Sequence, residues 1–458
     1  MHGGLPALRN DSIAHKPQGD FGMKRVLVLG AGLVSRPLVH YLTEREGLEV
    51  TVASRTVSKA EALVEGRERG SALALDVGDE QALERQIAEH DLAVSLLPAP
   101  KHPLVAGLCL EHGKHMATTS YIGDEMKALD EPARKAGLTF INECGVDPGI
   151  DHMSAMRVID AAREKGGKVV SFRSYCGGLP APEANDNPIG YKFSWAPRGV
   201  LIAATNPARF LKDGEVVEVP GDELFSDPEI VEVPGAGKFE GYPNRDSLPY
   251  IDMYGLEGVR TMFRGTLRNL GHCESWYQWV KLGLFDTALR SDLEGLTYKR
   301  FMQGFAGGAG NLRKGIASEL DIPEDHPAIE KLEWLGLFND SPVDVRQGGN
   351  VDVIASRMLE KCPFRDEERD MIALQHEFVV DYPDGEKKLY SSLVDFGIPG
   401  GDSAMARTVS LPVAIAARMI VEGELDQRGV VAPVEPEVYD PILDELAGLG
   451  IEFEERSA

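Results

Sequence analysis

The chain has 458 residues, 43% hydrophobic and 26% charged, the balance of an ordinary globular protein long enough to bury sizeable cores. Its 73 acidic and 48 basic side chains give a formal net charge of -25, a field that repels polyphosphate backbones and argues against nucleic acid as a partner. No apolar run approaches the roughly 20 residues needed to cross a bilayer, so no membrane association is expected, and the length suggests two or three domains.

The five cysteines, Cys109, Cys144, Cys176, Cys273 and Cys362, are widely spaced and form no CxxC pair. That usage points to a reduced, cytoplasmic protein with neither a disulfide framework nor a metal site. The leader, residues 1–23, carries polar and basic residues where a secretory signal needs an apolar segment, and is expected to be disordered.

From Lys24 to residue 146, short apolar runs alternate with amphipathic segments. The runs are KRVLVLG (24–30), LEVTVAS (48–54), ALALD (72–76), LAVSLL (92–97), HMATT (115–119) and LTFINE (138–143). Strands separated by single helices imply right-handed crossovers and a parallel sheet covered on both faces. The expectation is an α/β fold with a doubly wound sheet of the Rossmann type, binding NAD(P). After Asp147 the texture changes to Gly/Pro loops and short strands, read as an α+β substrate and dimerisation domain over 147–274 and about 375–400. Residues 275–374 read as mainly helical, smaller in extent. Within 377–397, Pro-Asp-Gly marks a hairpin turn. Residues 401–458 read as a helical segment returning to the first domain, opened by an apolar helix at 402–424 with a proline inside it.

The first strand runs into Gly30-Ala31-Gly32-Leu33-Val34-Ser35. Such a turn needs a first glycine for its tightness and a second so that backbone can approach a pyrophosphate, while the following helix offers free N–H groups. Ser35 stands where a third glycine is common and is still small. The second strand ends in Ser54-Arg55-Thr56, without the carboxylate that usually accepts from the ribose hydroxyls of NAD. A guanidinium there favours the 2′-phosphate of NADP, with NAD still possible. Asp76, after the third strand, is read as either an adenine-edge contact or a helix cap. Leu97 and Pro98 close the fourth strand at the expected nicotinamide end.

Substrate candidates lie beyond the later strand ends: Thr119-Ser120-Tyr121 and Gly145-Val146-Asp147-Pro148-Gly149-Ile150-Asp151-His152. Asp147 precedes a Pro-Gly turn and is read as facing the cleft or as a turn residue, Asp151 as the cap of the next helix, and His152 as structural or a proton carrier.

Several long strings then resemble one family. VLVLGAGLVSRPLVHYL, VSLLPAPKHPLVAGLCLEHGKHMATTSYI, NECGVDPGIDHMSAM, SFRSYCGGLPAPEANDNPIGYKFSWAPRGVL, YPNRDSLPYIDMYG and TMFRGTLR are similar to saccharopine dehydrogenases of the glutamate-forming, saccharopine reductase type. The resemblance runs from Lys24 to about residue 424 and is weakest around 222–238 and 300–370. It implies NADP-dependent oxidation of saccharopine through an imine to glutamate and 2-aminoadipate 6-semialdehyde, in lysine metabolism, by a homodimer. By motif position it assigns the nucleotide to Ala31, Gly32, Leu33, Val34, Ser54, Arg55, Thr56, Asp76, Val77 and Leu97. Saccharopine falls to Ser120, Tyr121, Asp147, Arg245, Thr266, Leu267 and Arg268, with Asp147 and Cys176 as acid–base candidates. Saccharopine carries three carboxylates, so a protein this acidic must gather arginines locally, and Arg245 and Arg268 suit that need. Two rival readings remain: a sister dehydrogenase acting on lysine or a polyamine Schiff base, and a non-catalytic nucleotide-binding scaffold.

Overall fold

The computed structural model describes residues 22–195, 197–308 and 310–457. The expectation of a disordered leader falls on residues 1–21, outside the described residues.

Among the described residues the first sheet has seven strands, the first six of them β1 (Lys24–Leu29), β2 (Leu48–Ser54), β3 (Gly70–Ala74), β4 (Leu92–Ser95), β5 (His115–Thr118) and β6 (Thr139–Ile141). All their pairings are parallel. In β1, Val26 and Val28 face one core while Leu27 and Leu29 face another, all four fully buried. That two-sided burial is why the strand reads as a continuous apolar run. The order β6-β5-β4-β1-β2-β3 reverses direction between β1 and β4, the crevice where doubly wound sheets bind ligands.

The second sheet is mixed. It is built from β7 (Lys168–Pro180), β8 (Ala208–Lys212), β9 (Glu215–Val219), β10 (Glu229–Val233), β11 (Gly237–Pro243), β12 (Thr261–Arg268), β13 (Asp370–Tyr382) and β14 (Gly385–Phe396). Pro383 and Asp384 alone separate the paired Tyr382 and Gly385, so the β13–β14 hairpin turns at the expected place. β12 pairs parallel to β7, with Thr266 opposite Cys176. One face of this sheet, including Phe172, Cys176 and Leu374, shares a core with the first domain and the Ile150–Glu164 helix. Between β12 and β13, among the described residues, lie five helices around Trp276, Trp279 and Phe301, with their own core.

The helix Ala404–Val421 contains Pro412 and begins at Ser403, whose Oγ accepts from the Ala406 N–H at 3.0 Å. It is long and apolar enough to cross a membrane by composition, yet 83% of it is buried inside the protein. Residues 401–458 were expected to be helical, but they also contain two strands. β15 (Gly429–Val431) extends the first sheet beside β6, and β16 (Phe453–Ser457) pairs with β14. Three residues are too few to show alternation, and β16 is an edge strand of charged residues, so neither has a periodic apolar signal.

Candidate active site

At the β1 turn, Gly30 has φ +120°, and a Cβ there would stand 3.2 Å from the Leu96 carbonyl oxygen. A Cβ on Gly32 would meet nothing within 4 Å, so the loop presents an open face. Ser35 Oγ accepts from the Gly32 N–H at 3.0 Å and donates to the Gly30 carbonyl at 3.2 Å. The hydroxyl thus holds the two glycines in the turn, a use the sequence alone does not show. Leu33 is 69% exposed beside Ala31 and Val34, at the opening of the Ser35–Thr43 helix. These features suit a pyrophosphate on free backbone N–H groups.

Ser54 ends β2, and its Oγ accepts from the Thr56 N–H at 3.2 Å. Arg55 is exposed, and among the described residues no side chain holds its guanidinium. Asp76 Oδ1 accepts from the Gly78 N–H at 2.9 Å. It is not the helix cap: Asp79 is, accepting from the Ala82 N–H at 3.0 Å. Val77 is half-buried; Leu97 and Pro98 follow β4.

Asp147 sits on a tight loop from Gly145 to Gly149, closed by hydrogen bonds from Gly145 N–H to Pro148 (2.9 Å) and Ile150 N–H to Gly145 (2.8 Å). Gly149, at φ +148°, is the N-cap of the Ile150–Glu164 helix, and a Cβ there would lie 2.1 Å from the Gly145 carbonyl oxygen. Only glycine closes this loop. Asp147 Oδ1 accepts from Tyr121 Oη at 3.1 Å and from Arg264. Arg264 also donates to Asp151 Oδ2 at 2.8 Å, and its guanidinium lies 4.3 Å from the Tyr250 ring centroid.

Asp151 is not the cap expected of it. It stands in the first turn, its Oδ1 accepting from the N–H groups of Gly149 (2.6 Å) and His152 (2.9 Å). His152 is fully buried, with Nε2 2.8 Å from Glu143 and Nδ1 2.5 Å from Tyr254 Oη. Burial by itself lowers the His152 pKa, but the Asp151 and Glu143 carboxylates raise it above the usual histidine value. For Asp151, burial is outweighed by His152 and Arg264, and the carboxyl is held low. For Asp147, burial prevails over Arg264, Asp151 adds to it, and the carboxyl is pushed up. Two neighbouring carboxyls pushed apart in this way separate a permanent anion from a proton-exchanging group.

Cys176 is buried, and that burial, followed by the Asp147 and Asp151 charges, pushes its thiol well up. It is a neutral thiol, which removes it as a resting base. Along β12 the side chains alternate: Arg264, Thr266 and Arg268 share the face of Cys176, while Phe263, Gly265 and Leu267 point to the other. The Leu267 side chain is therefore in the opposite core and can offer only backbone atoms; its carbonyl accepts from Arg268 at 2.8 Å. Arg268 is 7% exposed, lies 5.0 Å from the Tyr191 ring, and has no carboxylate partner among the described residues. Arg245 is exposed at φ +55° over the Tyr121 ring at 5.2 Å, likewise without a carboxylate.

Ser120 Oγ is 2.8 Å from Nε2 of His102, whose Nδ1 is 2.9 Å from Ser95 Oγ at the end of β4. Burial brings His102 down to about 4, so it is a neutral link between the ends of β4 and β5. A cavity of about 380 Å³ beside these groups is lined by Tyr121, Glu143, Asp246, Tyr250, Met253 and Val430, among others. Arg264, Glu143, His102 and Tyr250 were not found by sequence reasoning. A period-two signal for Arg264 was available: it precedes Thr266 and Arg268 at strand spacing. Nothing local marks the other three.

The model of the saccharopine dehydrogenase NADP binding domain matches residues 26–141, and that of the saccharopine dehydrogenase C-terminal domain matches 145–451. Saccharopine dehydrogenase [NADP(+), L-glutamate-forming] of Schizosaccharomyces pombe is 40% identical over 95% of this chain and 99% of its own length. The Saccharomyces cerevisiae protein of that name is 38% identical over 95% and 99%. The mouse mitochondrial alpha-aminoadipic semialdehyde synthase is 40% identical over 95% of this chain but 48% of its own length. The apo structure of the S. cerevisiae enzyme superposes with a TM-score of 0.86 at 37% identity, covering 95% of this chain and 100% of that one.

Proposed function

The chain belongs to the saccharopine dehydrogenase family, and from that premise we propose that it oxidises saccharopine with NADP+ to L-glutamate and 2-aminoadipate 6-semialdehyde, and runs the reverse reductive amination. The single observation that carries the substrate is the pair of guanidiniums without a carboxylate partner among the described residues, exposed Arg245 and buried Arg268, in a strongly acidic protein. A buried cation such as Arg268 is costly without an anion unless a ligand supplies one, and saccharopine has three carboxylates to offer.

NADP+, when bound, would supply the hydride acceptor for the carbon bearing the secondary amine. Gly30 to Val34 would hold its pyrophosphate, Arg55 its 2′-phosphate, and Ser54, Thr56, Asp76, Val77, Leu97 and Pro98 would line the rest of its path. Arg245, Arg268, Ser120, Thr266 and the Leu267 backbone orient the substrate. Asp147 accepts the amine proton as the imine forms, returns it to the imine nitrogen, and then, ionised again, removes a proton from the water that attacks the imine carbon. Tyr121 fixes the Asp147 carboxylate, and Cys176 stays a neutral thiol in the wall of the cleft. We place the enzyme in the cytoplasm as a homodimer; its five cysteines are all buried free thiols, which suits a reducing compartment, and light scattering of the purified chain reads the dimer mass.

The test is NADPH formation at mildly alkaline pH with saccharopine, lysine or carboxynorspermidine, each with NADP+ and NAD+. Turnover is expected with saccharopine alone, with NADP+ preferred. Turnover of lysine or the polyamine instead would mean that Arg245 and Arg268 do not receive a tricarboxylate. Arg55→Ala should lower the preference for NADP+ over NAD+ by about 10–100-fold, the worth of a charge-assisted hydrogen bond; an unchanged ratio would remove Arg55 from the 2′-phosphate.

A further inference from the structure

We infer that Arg264 is a positioning residue that divides the work between two carboxylates, leaving Asp147 Oδ2 as the proton-accepting oxygen and keeping Asp151 as a permanent anion. The inference rests on the saccharopine reading for its substrate, but its geometry is independent of it.

Both hydrogen bonds made by Asp147, from Tyr121 Oη and from Arg264, go to Oδ1. No protein group bonds Oδ2 among the described residues, and the side chain keeps 14% of its surface open. Asp151 is the reverse case. Its Oδ1 takes two backbone N–H groups, its Oδ2 takes Arg264, and its side chain is only 2% exposed. A carboxylate with both oxygens bonded has little room for a proton, whereas one pinned by a single oxygen presents the other in a defined direction.

Arg264 can do this because its own place is fixed. It sits on β12 opposite Ser174 of β7, and its side chain is 3% exposed. Tyr250 at 4.3 Å and Tyr121 at 5.8 Å bracket its guanidinium. One guanidinium nitrogen, Nη2, meets both carboxylates, and the flat ring-facing guanidinium keeps it there in a way a mobile ammonium does not. With Asp147 ionised, one guanidinium between two carboxylates leaves a net negative charge, suited to a cationic amine.

The charged and titratable groups facing Asp147 come from every element around it. Tyr121 follows β5, Asp151 and His152 belong to the Ile150–Glu164 helix, and Cys176 lies on β7. Arg264 lies on β12, and Tyr250 on the Pro249–Met253 helix. In the forward reaction the amine N–H proton passes to Asp147 Oδ2 while hydride leaves the adjacent carbon for NADP+, so the carboxylate becomes the acid and the amine becomes the imine.

The experiment is the pH dependence of kcat/KM for saccharopine, whose rising limb reports ionisation of the base in the free enzyme. Arg264→Met removes a cation from beside Asp147 and should move the limb up by about 1–3 pH units. Arg264→Lys should move it up less. Asp151→Asn removes an anion and should move it down. Opposite shifts of this kind are not produced by general loosening of the fold, which lowers activity at every pH. NADP binding and thermal unfolding identify any variant that has failed to fold; Arg264→Lys and Asp151→Asn keep the test standing if Arg264→Met is lost. The same shifts in a Cys176→Ser background assign the limb to Asp147. Unmoved limbs, shifts of the same sign, or shifts that vanish with Cys176 would each overturn the inference. A wild-type chain without saccharopine turnover would instead sink the functional reading. Titration of isotope-labelled aspartate in the same variants would then decide the role of Arg264.

Discussion

Asp147→Asn is expected to lower kcat for saccharopine oxidation by about 10²–10⁴-fold, the usual worth of a positioned general base, while NADP binding is unchanged. The amide keeps an oxygen for Tyr121 and Arg264 but cannot accept the amine proton. The residual activity should be nearly pH-independent, because the group whose ionisation shapes the rising limb is gone, so the loss shrinks as pH falls below that limb. Stability should move the other way. Burial raises the carboxyl of Asp147 in the folded chain. A raised folded pKa gives stability that is present in acid and lost as pH rises through that pKa. Ionised Asp147 is therefore a cost at neutral pH, and the asparagine variant should unfold at the same or a higher temperature. Arg264 is not stranded by the change, since it retains Asp151. A variant with wild-type kcat, measured by NADPH formation, would remove Asp147 from the proton path.

Arg268→Met is expected to raise KM for saccharopine by about 30-fold or more, from the 2–5 kcal/mol that losing one partner of a buried charge pair costs. The side chain is buried, raised further above its ordinary value by the neighbouring Tyr242 and Tyr191 against the pull of desolvation, and its Nε has no hydrogen-bond partner. Without substrate, that charge is compensated by no carboxylate, so methionine of similar length should leave the free chain as stable or more so. With saccharopine present the order should invert. Ligand raises the unfolding temperature of the native chain by mass action and leaves the variant nearly unmoved. Arg268→Lys should restore little, because a single ammonium does not reproduce a bidentate fork. Equal KM values, or equal thermal shifts with saccharopine, would show that this guanidinium meets no substrate carboxylate.

The cofactor half of the molecule was legible because its signals are local. A strand, two glycines and a helix start lie within a dozen residues, and the backbone geometry that Gly30 and Gly32 allow is a property of those residues themselves. Arg55 was legible as a candidate for the same reason: it immediately follows β2. The substrate half was legible only as a set of motifs, because its groups are 117 residues apart in the case of Arg264 and Asp147. Asp151 shows the limit. An aspartate at a helix start reads as a cap, and its two backbone hydrogen bonds do resemble one, but Arg264 arriving from β12 makes it a member of the site. Leu267 shows another limit: adjacency in a motif does not tell which face of a strand a side chain takes until the strand is paired.

The amino-acid sequence by itself determined the alternation of strands and helices, the nucleotide turn, the hairpin at Pro383-Asp384 and the family. Each depends on residues near in the chain or on long continuous similarity. The tertiary structure alone decided the ionisation pattern: which carboxyl is pushed up, which is held low, and that Cys176 remains a thiol. Those outcomes are set by burial and by charges brought from different strands and helices, and the energy of such a contact depends on distance in space, which spacing along the chain does not encode.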